Sequence, residues 1–240
     1  MHFGKQQVSY TAEIFGSSIV LVGQFNPAIF TADWLERASL IGSEDAEYAR
    51  ASTKVLVSHA VAVCETEWFA LQVLENQFSL TSKGALSHAF RDLAEGIATL
   101  VPHTPVTALG LNFMGHYKMS TEAGYHMVGD VLVPKKLWGE LFDPETEKPG
   151  MADVTVKIQQ MKVGETIASS PDELRINVQP STTVKWGVFL SCNAHRESFG
   201  MVKGKGNAAG AAEVIRVEWE KMWHRAESIF DGILTKATAG

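Results

Sequence analysis

The sequence has little that would staple a chain from outside or hold it in lipid. Only two of its 240 residues are cysteine, Cys64 and Cys192. Both lie in apolar, strand-like patterns, so they make no disulfide framework and read as reduced core thiols of a reducing compartment. No stretch approaches ~20 uninterrupted apolar residues, which excludes a transmembrane helix. Met1 to Gln7 is polar and no apolar run follows, so no secretory leader is expected and the expected location is cytoplasmic. Cations are also short. Lys and Arg number 21 against 27 Asp and Glu, a formal charge of −6. A general nucleic-acid binder needs clustered Lys and Arg to release counterions, so nucleic acid is not the expected partner.

Motifs that carry chemistry are missing as well. There is no His-Glu-x-x-His zinc pattern, no Walker loop and no Gly-x-Ser-x-Gly nucleophile elbow. His116 and His126 are ten residues apart, which is not the i, i+4 spacing of a helical ligand pair. Asp92 with Glu95, and Glu218 with Glu220, read as solvated helix faces. The helical tryptophans Trp34, Trp138, Trp219 and Trp223 read as core. No catalytic residue, metal or cofactor is assigned.

What is present is an ordinary globular composition, 45% hydrophobic and 20% charged, in a pattern of elements that occurs twice. Residues 19–25 form a strand-like run ended by Pro27, and Thr31 caps a helix running to about residue 40. Residues 42–47 read as an acidic loop. Residues 68–82 alternate over two arms as a hairpin, with Asn76 as the turn residue able to take a positive φ. Residues 86–101 carry the helical stripe Leu86, Ala89, Phe90, Leu93, Ile97 and Leu100. The second half repeats this with a strand at 106–111, helical patterns over 121–142 with Pro134 opening the last of them, and strands between 153 and 193. The strongest strand alternation is Val184, Trp186, Val188, Leu190 and Cys192. A long helix to Lys236 follows. Its stripe is Ile215, Trp219, Met222, Ala226, Ile229 and Ile233, widened by Trp223 and Phe230, and it is expected to cover Trp186 and Leu190. The expected fold is α+β: two related β-α-β-β-α halves, 1–104 and 105–240, with a mostly antiparallel sheet covered by helices and a shared core.

Two places could hold a ligand. The loop Gly204-Lys-Gly-Asn-Ala-Ala-Gly210 precedes the long helix and could seat a phosphate at its N-terminus. Its third glycine comes one residue late for a dinucleotide fingerprint, and no strand follows the helix, so a connector is the plainer reading. Lys203, Lys205 and Asn207 are its candidate binding residues. His195 is the other candidate. It lies three residues after Cys192, yet Cys192 belongs to the buried side of its strand, where inert packing is expected.

The segments Val20-Leu-Val-Gly-Gln-Phe-Asn-Pro27, Phe69-Ala-Leu-Gln-Val-Leu-Glu-Asn-Gln-Phe-Ser-Leu-Thr81, Val106-Thr-Ala-Leu-Gly-Leu-Asn112 and Ala226-Glu-Ser-Ile-Phe-Asp-Gly-Ile-Leu234 resemble the layout of a sporadically distributed bacterial family of uncharacterised proteins. The resemblance brings no catalytic residues with it. It implies an accessory gene, such as one in a defence or toxin–antitoxin locus. The expected function is a non-catalytic binding or assembly protein that takes a protein partner or self-associates. The alternative is a small hydrolase or nucleotide-binding enzyme using His195 and the 204–210 loop. A saddle-like nucleic-acid accessory is a third reading, which the acidic balance disfavours.

Overall fold

The computed structural model of the chain describes residues 10–84, 87–139, 141–143, 145–159, 172–197 and 206–239. The first half runs β1 (Ile14–Gly23), α1 (Ala32–Arg37), α2 (Ser43–Ala51), β2 (Leu56–Val57), β3 (Val61–Glu65), β4 (Phe69–Leu74), β5 (Gln77–Ser82) and α3 (His88–Leu100). The second runs β6 (Val106–Lys118), α4 (Glu122–Leu132), β7 (Val154–Gln159), β8 (Glu173–Pro180), β9 (Gly187–Arg196) and α5 (Ala208–Thr238). The strands form one nine-stranded sheet in the order β2-β3-β4-β5-β1-β6-β9-β8-β7, with every pairing antiparallel. The fold is therefore α+β, as the pattern implied. The first half carries two more strands, β2 and β3, than the sequence showed. In each, a strand and a helical segment lead into a meander whose last strand pairs back onto the first, and a helix closes the unit. None of the described helices is long and apolar enough to cross a membrane.

The pleat sorts the side chains. Ile19 and Leu21 of β1, Phe69, Leu71 and Val73 of β4, Phe78 and Leu80 of β5, Leu111 and Phe113 of β6, and Leu190 and Cys192 of β9 are buried on one face. The helices lie on that face. Several are capped as their sequences imply. Thr31 Oγ1 accepts from Trp34 N at 3.1 Å, and Thr121 Oγ1 accepts from Gly124 N at 3.0 Å.

Four local expectations need correction. Residues 43–51 form a helix, not a loop, because Glu44 and Asp45 meet the positive end of its dipole while Ala46 and Ala49 bury. The hairpin turns through Glu75 and Asn76 without a positive φ; the only non-glycine residues with one among those described are Ser39 and Trp186. The helix expected after Pro134 is a single 3-10 turn, Lys135–Leu137. Finally, Val184 and Trp186 stand in the turn before β9, not in the strand. Trp186, at φ 55°, reverses the chain, and the alternation continues from Val188 to Ala194.

α5 crosses the middle of the covered face, starting from the N-cap Asn207, whose Oδ1 accepts from Gly210 N at 2.9 Å. Trp219 is fully buried between Phe90 of α3 and Phe113 of β6, at ring distances of 5.5 and 4.9 Å. Phe230 meets Tyr117 at 6.1 Å. The buried stripe starts as expected at Ile215, Trp219 and Met222 but ends on Phe230 and Leu234, while Ile229 and Ile233 are only partly covered. The spacing of four and three averages 3.5, against 3.6 per turn of a straight helix. Over a helix this long the stripe therefore drifts by about one residue. Trp186 lies beside Tyr125 and His126 of α4, at 5.8 and 6.1 Å, so α4 is the helix that packs its ring.

Two predictions follow from the packing. Trp219→Ala should lower unfolding free energy by about 3–5 kcal/mol, the range for emptying a large buried aromatic site, read from denaturant midpoints; a loss under about 1 kcal/mol would contradict the burial. Cys64 and Cys192 are free and buried, and burial pushes both thiols up to about 11. They sit on strands five steps apart, about 24 Å at the usual strand spacing, too far for a disulfide. Thiol reagents should therefore modify the native protein slowly and both sites together on unfolding; rapid modification of either folded-state thiol would refute this.

Candidate functional site

The second face of the sheet is left open by the described helices. Cross-strand partners share a face, so the registers give its rows directly. One row reads Thr81, Ser18, Asn112, Asn193, Arg175 and Lys157 across β5, β1, β6, β9, β8 and β7. The next reads Ser79, Val20, Gly110, His195, Glu173 and Gln159. Where these rows meet, a depression of about 290 Å³ is lined by Val20, Gly110, Asn112, Arg175, Asn193 and His195, among others. Gly110 sets its floor. A Cβ at that position would come within 3.0 Å of Asn193 Nδ2. An amide chain runs beside it: Asn193 Nδ2 donates to Asn112 Oδ1, and Asn112 Nδ2 donates to Ser18 Oγ at 3.1 Å.

Charge on this face is arranged at the flanks. Glu173 sits between Lys157, whose Nζ is 2.5 Å away, and Arg175. Its carboxyl is held below the usual 4.5, first by the Lys157 hydrogen bond and then by that of Arg175. On the other flank Glu65 sits between Lys83 at 2.5 Å and Lys54 at 3.0 Å, and Lys83 and then Lys54 lower its carboxyl in the same way. Each carboxylate thus ties down two cations, and the centre between them is neutral and amide-rich.

His195 is on the open face, opposite Gly110 and Glu173, with Nε2 3.4 Å from Glu197 Oε1. Cys192 points into the core from the other face of the same strand, so the pleat separates thiol from imidazole. Asn207 is spent on capping α5. Lys203 and Lys205, with Gly204, lie outside the described residues. Within them, no group of three or more His, Cys, Asp or Glu is placed to hold a metal ion.

Sequence reasoning missed one histidine cluster. His116 Nδ1 is 2.8 Å from Ser181 Oγ and 3.1 Å from Thr183 Oγ1. This resembles a serine–histidine pair, but Ser181 Oγ also accepts the backbone N–H groups of Thr183 at 3.2 Å and Val184 at 2.9 Å. Those bonds occupy the lone pairs a nucleophile would use, so the cluster clasps the β8–β9 turn. The signal was the run Pro180-Ser-Thr-Thr183 after a strand, a hydroxyl-rich turn sequence. The open-face amides left a signal too, in the polar side of the β9 alternation.

Burial lowers the His116 pKa from its ordinary 6.5. The folded state then binds this proton less readily than the unfolded chain. Stability from the neutral ring is present above 6.5 and is lost as pH falls through the lowered folded value. His116→Gln should therefore flatten the acid-side loss of stability below pH 6.5, measured as urea midpoints across pH; an unchanged slope would show that burial of His116 does not set it.

Neither protein-family models nor curated protein sequences give a match to the chain, and its function is argued from this geometry.

Proposed function

We propose that the chain is a non-catalytic binding protein that takes a protein partner on the open face of its sheet. The observation that carries this is the amide row Ser18, Asn112 and Asn193 beside the depression over Gly110. A side-chain amide presents a donor and an acceptor together, as a peptide group does, and the missing side chain of Gly110 leaves room for the Asn193 amide to lie across the sheet. The flanking cations favour a protein over a nucleic acid. Lys54, Lys83, Lys157 and Arg175 are held by Glu65 and Glu173, so a phosphate backbone would have to compete with bonds already made. The family resemblance adds the role of an accessory component, in the cytoplasm, of a bacterial defence or toxin–antitoxin locus.

A second reading has one observation in its favour. His195 shares the depression with Arg175, which would suit a small hydrolase or nucleotide-binding enzyme that also uses the 204–210 loop. A nucleotide at ~100 times its dissociation constant adds about 2.7 kcal/mol to stability. A dose-dependent rise in melting temperature with nucleotide would favour the enzyme.

The binding reading is tested with a charge on the open face. Val22 lines the depression and is 43% exposed, so Val22→Arg should leave the melting temperature within a few degrees of the parent. Affinity for the partner recovered from the native host should fall at least tenfold, about 1.4 kcal/mol. Glu220→Arg, on the solvent side of α5, should bind as the parent does. A Val22→Arg protein with full affinity would place the partner elsewhere.

A further inference from the structure

The two edges of the sheet differ. At one end β2 has only two residues, too short to template another strand. At the other, β7 offers six, Val154-Thr-Val-Lys-Ile-Gln159, four of them β-branched and none Pro or Gly. One side of β7 pairs with β8. Among the described residues no backbone hydrogen bond reaches its outer side. Val156 is 49% and Ile158 39% exposed, although their cross-strand neighbours Ile176 and Leu174 are buried. Among the described residues, the apolar row of the covered face therefore runs out to the edge without a cover. Natural edges are commonly blunted by a lysine. Lys157 does not serve here, because it lies along the sheet on Glu173 of β8.

We propose that a second copy of the chain pairs with β7, antiparallel about a two-fold axis at Val156, and carries the sheet across both molecules. In this register the sequence of the strand is complementary to itself. Val156 of each copy meets the other. Val154 of one copy lies opposite Ile158 of the other, and Thr155 opposite Lys157. Asp153 falls diagonal to the other copy's Lys157, bringing opposite charges together on the polar side. Centring the pair on Lys157 would oppose two ammonium groups. A slip of one residue would turn every apolar side chain against a polar one. The contact is isologous, so it closes at two copies. Its axis stands perpendicular to the sheet and leaves both open faces on the same side. A six-residue edge falls well short of the ~1,600 Å² of a standard interface, so the dimer is reversible and concentration-dependent.

The test uses the full chain. Sedimentation equilibrium should show a monomer–dimer equilibrium, and Val156→Lys should weaken it at least tenfold without lowering the melting temperature, since Val156 is half exposed. Val156→Cys should form a disulfide-linked dimer on mild oxidation, because directly opposed Cβ atoms lie ~4.5–5.5 Å apart and the native thiols are buried. A chain that stays monomeric at its highest attainable concentration would overturn the proposal. So would a dimer that survives Val156→Lys or fails to cross-link through residue 156.

Discussion

The pairing of β1 with β6 is the interaction on which the rest of the molecule depends. Nine successive pairs are in register, from Ile14 against His116 to Val22 against Ala108, and beyond a shift at Thr107 Gly23 meets Val106. Both meanders attach to this pair, one through β5 and the other through β9. A slip of one residue would turn one of the two strands over, putting Ser18 or Asn112 into the core and Ile19 and Leu21, or Leu111 and Phe113, out of it. The cost of stranding a buried polar group, about 1–3 kcal/mol, and of exposing two large apolar side chains is what fixes the register. The pair ends where Gly23 passes Pro105. A Cβ at Gly23 would lie 2.2 Å from the Pro105 carbonyl oxygen, so only glycine fits the crossing.

That one register determines both faces. On the covered side it lines up Phe113 and Tyr117 beneath Trp219 and Phe230 of α5, and α3 and α4 flank the same helix. On the other side it aligns Ser18, Asn112 and Asn193 into a hydrogen-bonded row and brings Val20, Gly110 and His195 together beside them. Stability and the proposed recognition are opposite faces of one pleat. Substitutions on the open side can thus alter binding while leaving the core untouched, which is the separation the function proposal needs.

Much of this was legible in the sequence, and the limits have physical causes. Period-two alternation showed the hairpin of β4 and β5 and most of β9, and the stripe of α5 showed its core face. Alternation could not separate strand from turn at Val184 and Trp186. A residue held by ring packing against Tyr125 and His126 has the same hydrophobic signature as one in a ladder. β2 was invisible because two residues carry no period. α2 was hidden because its buried side is alanine, which contributes little hydrophobic contrast against Glu44, Asp45 and Glu47. The candidate site was only partly readable. His195 stood out as a residue type, but Gly110, Asn112 and Arg175 are dispersed along the chain and meet only through strand register, which no local pattern reveals.

The central claim is that two halves share one sheet whose strongest part is its middle. Native-state hydrogen exchange tests it most directly. The amides of β1, β5, β6 and β9 should exchange with a common free energy equal to that of global unfolding, with β2 and β7 exchanging earlier. Two separate plateaus, one for each half, with the β1–β6 amides exchanging before either, would contradict the account.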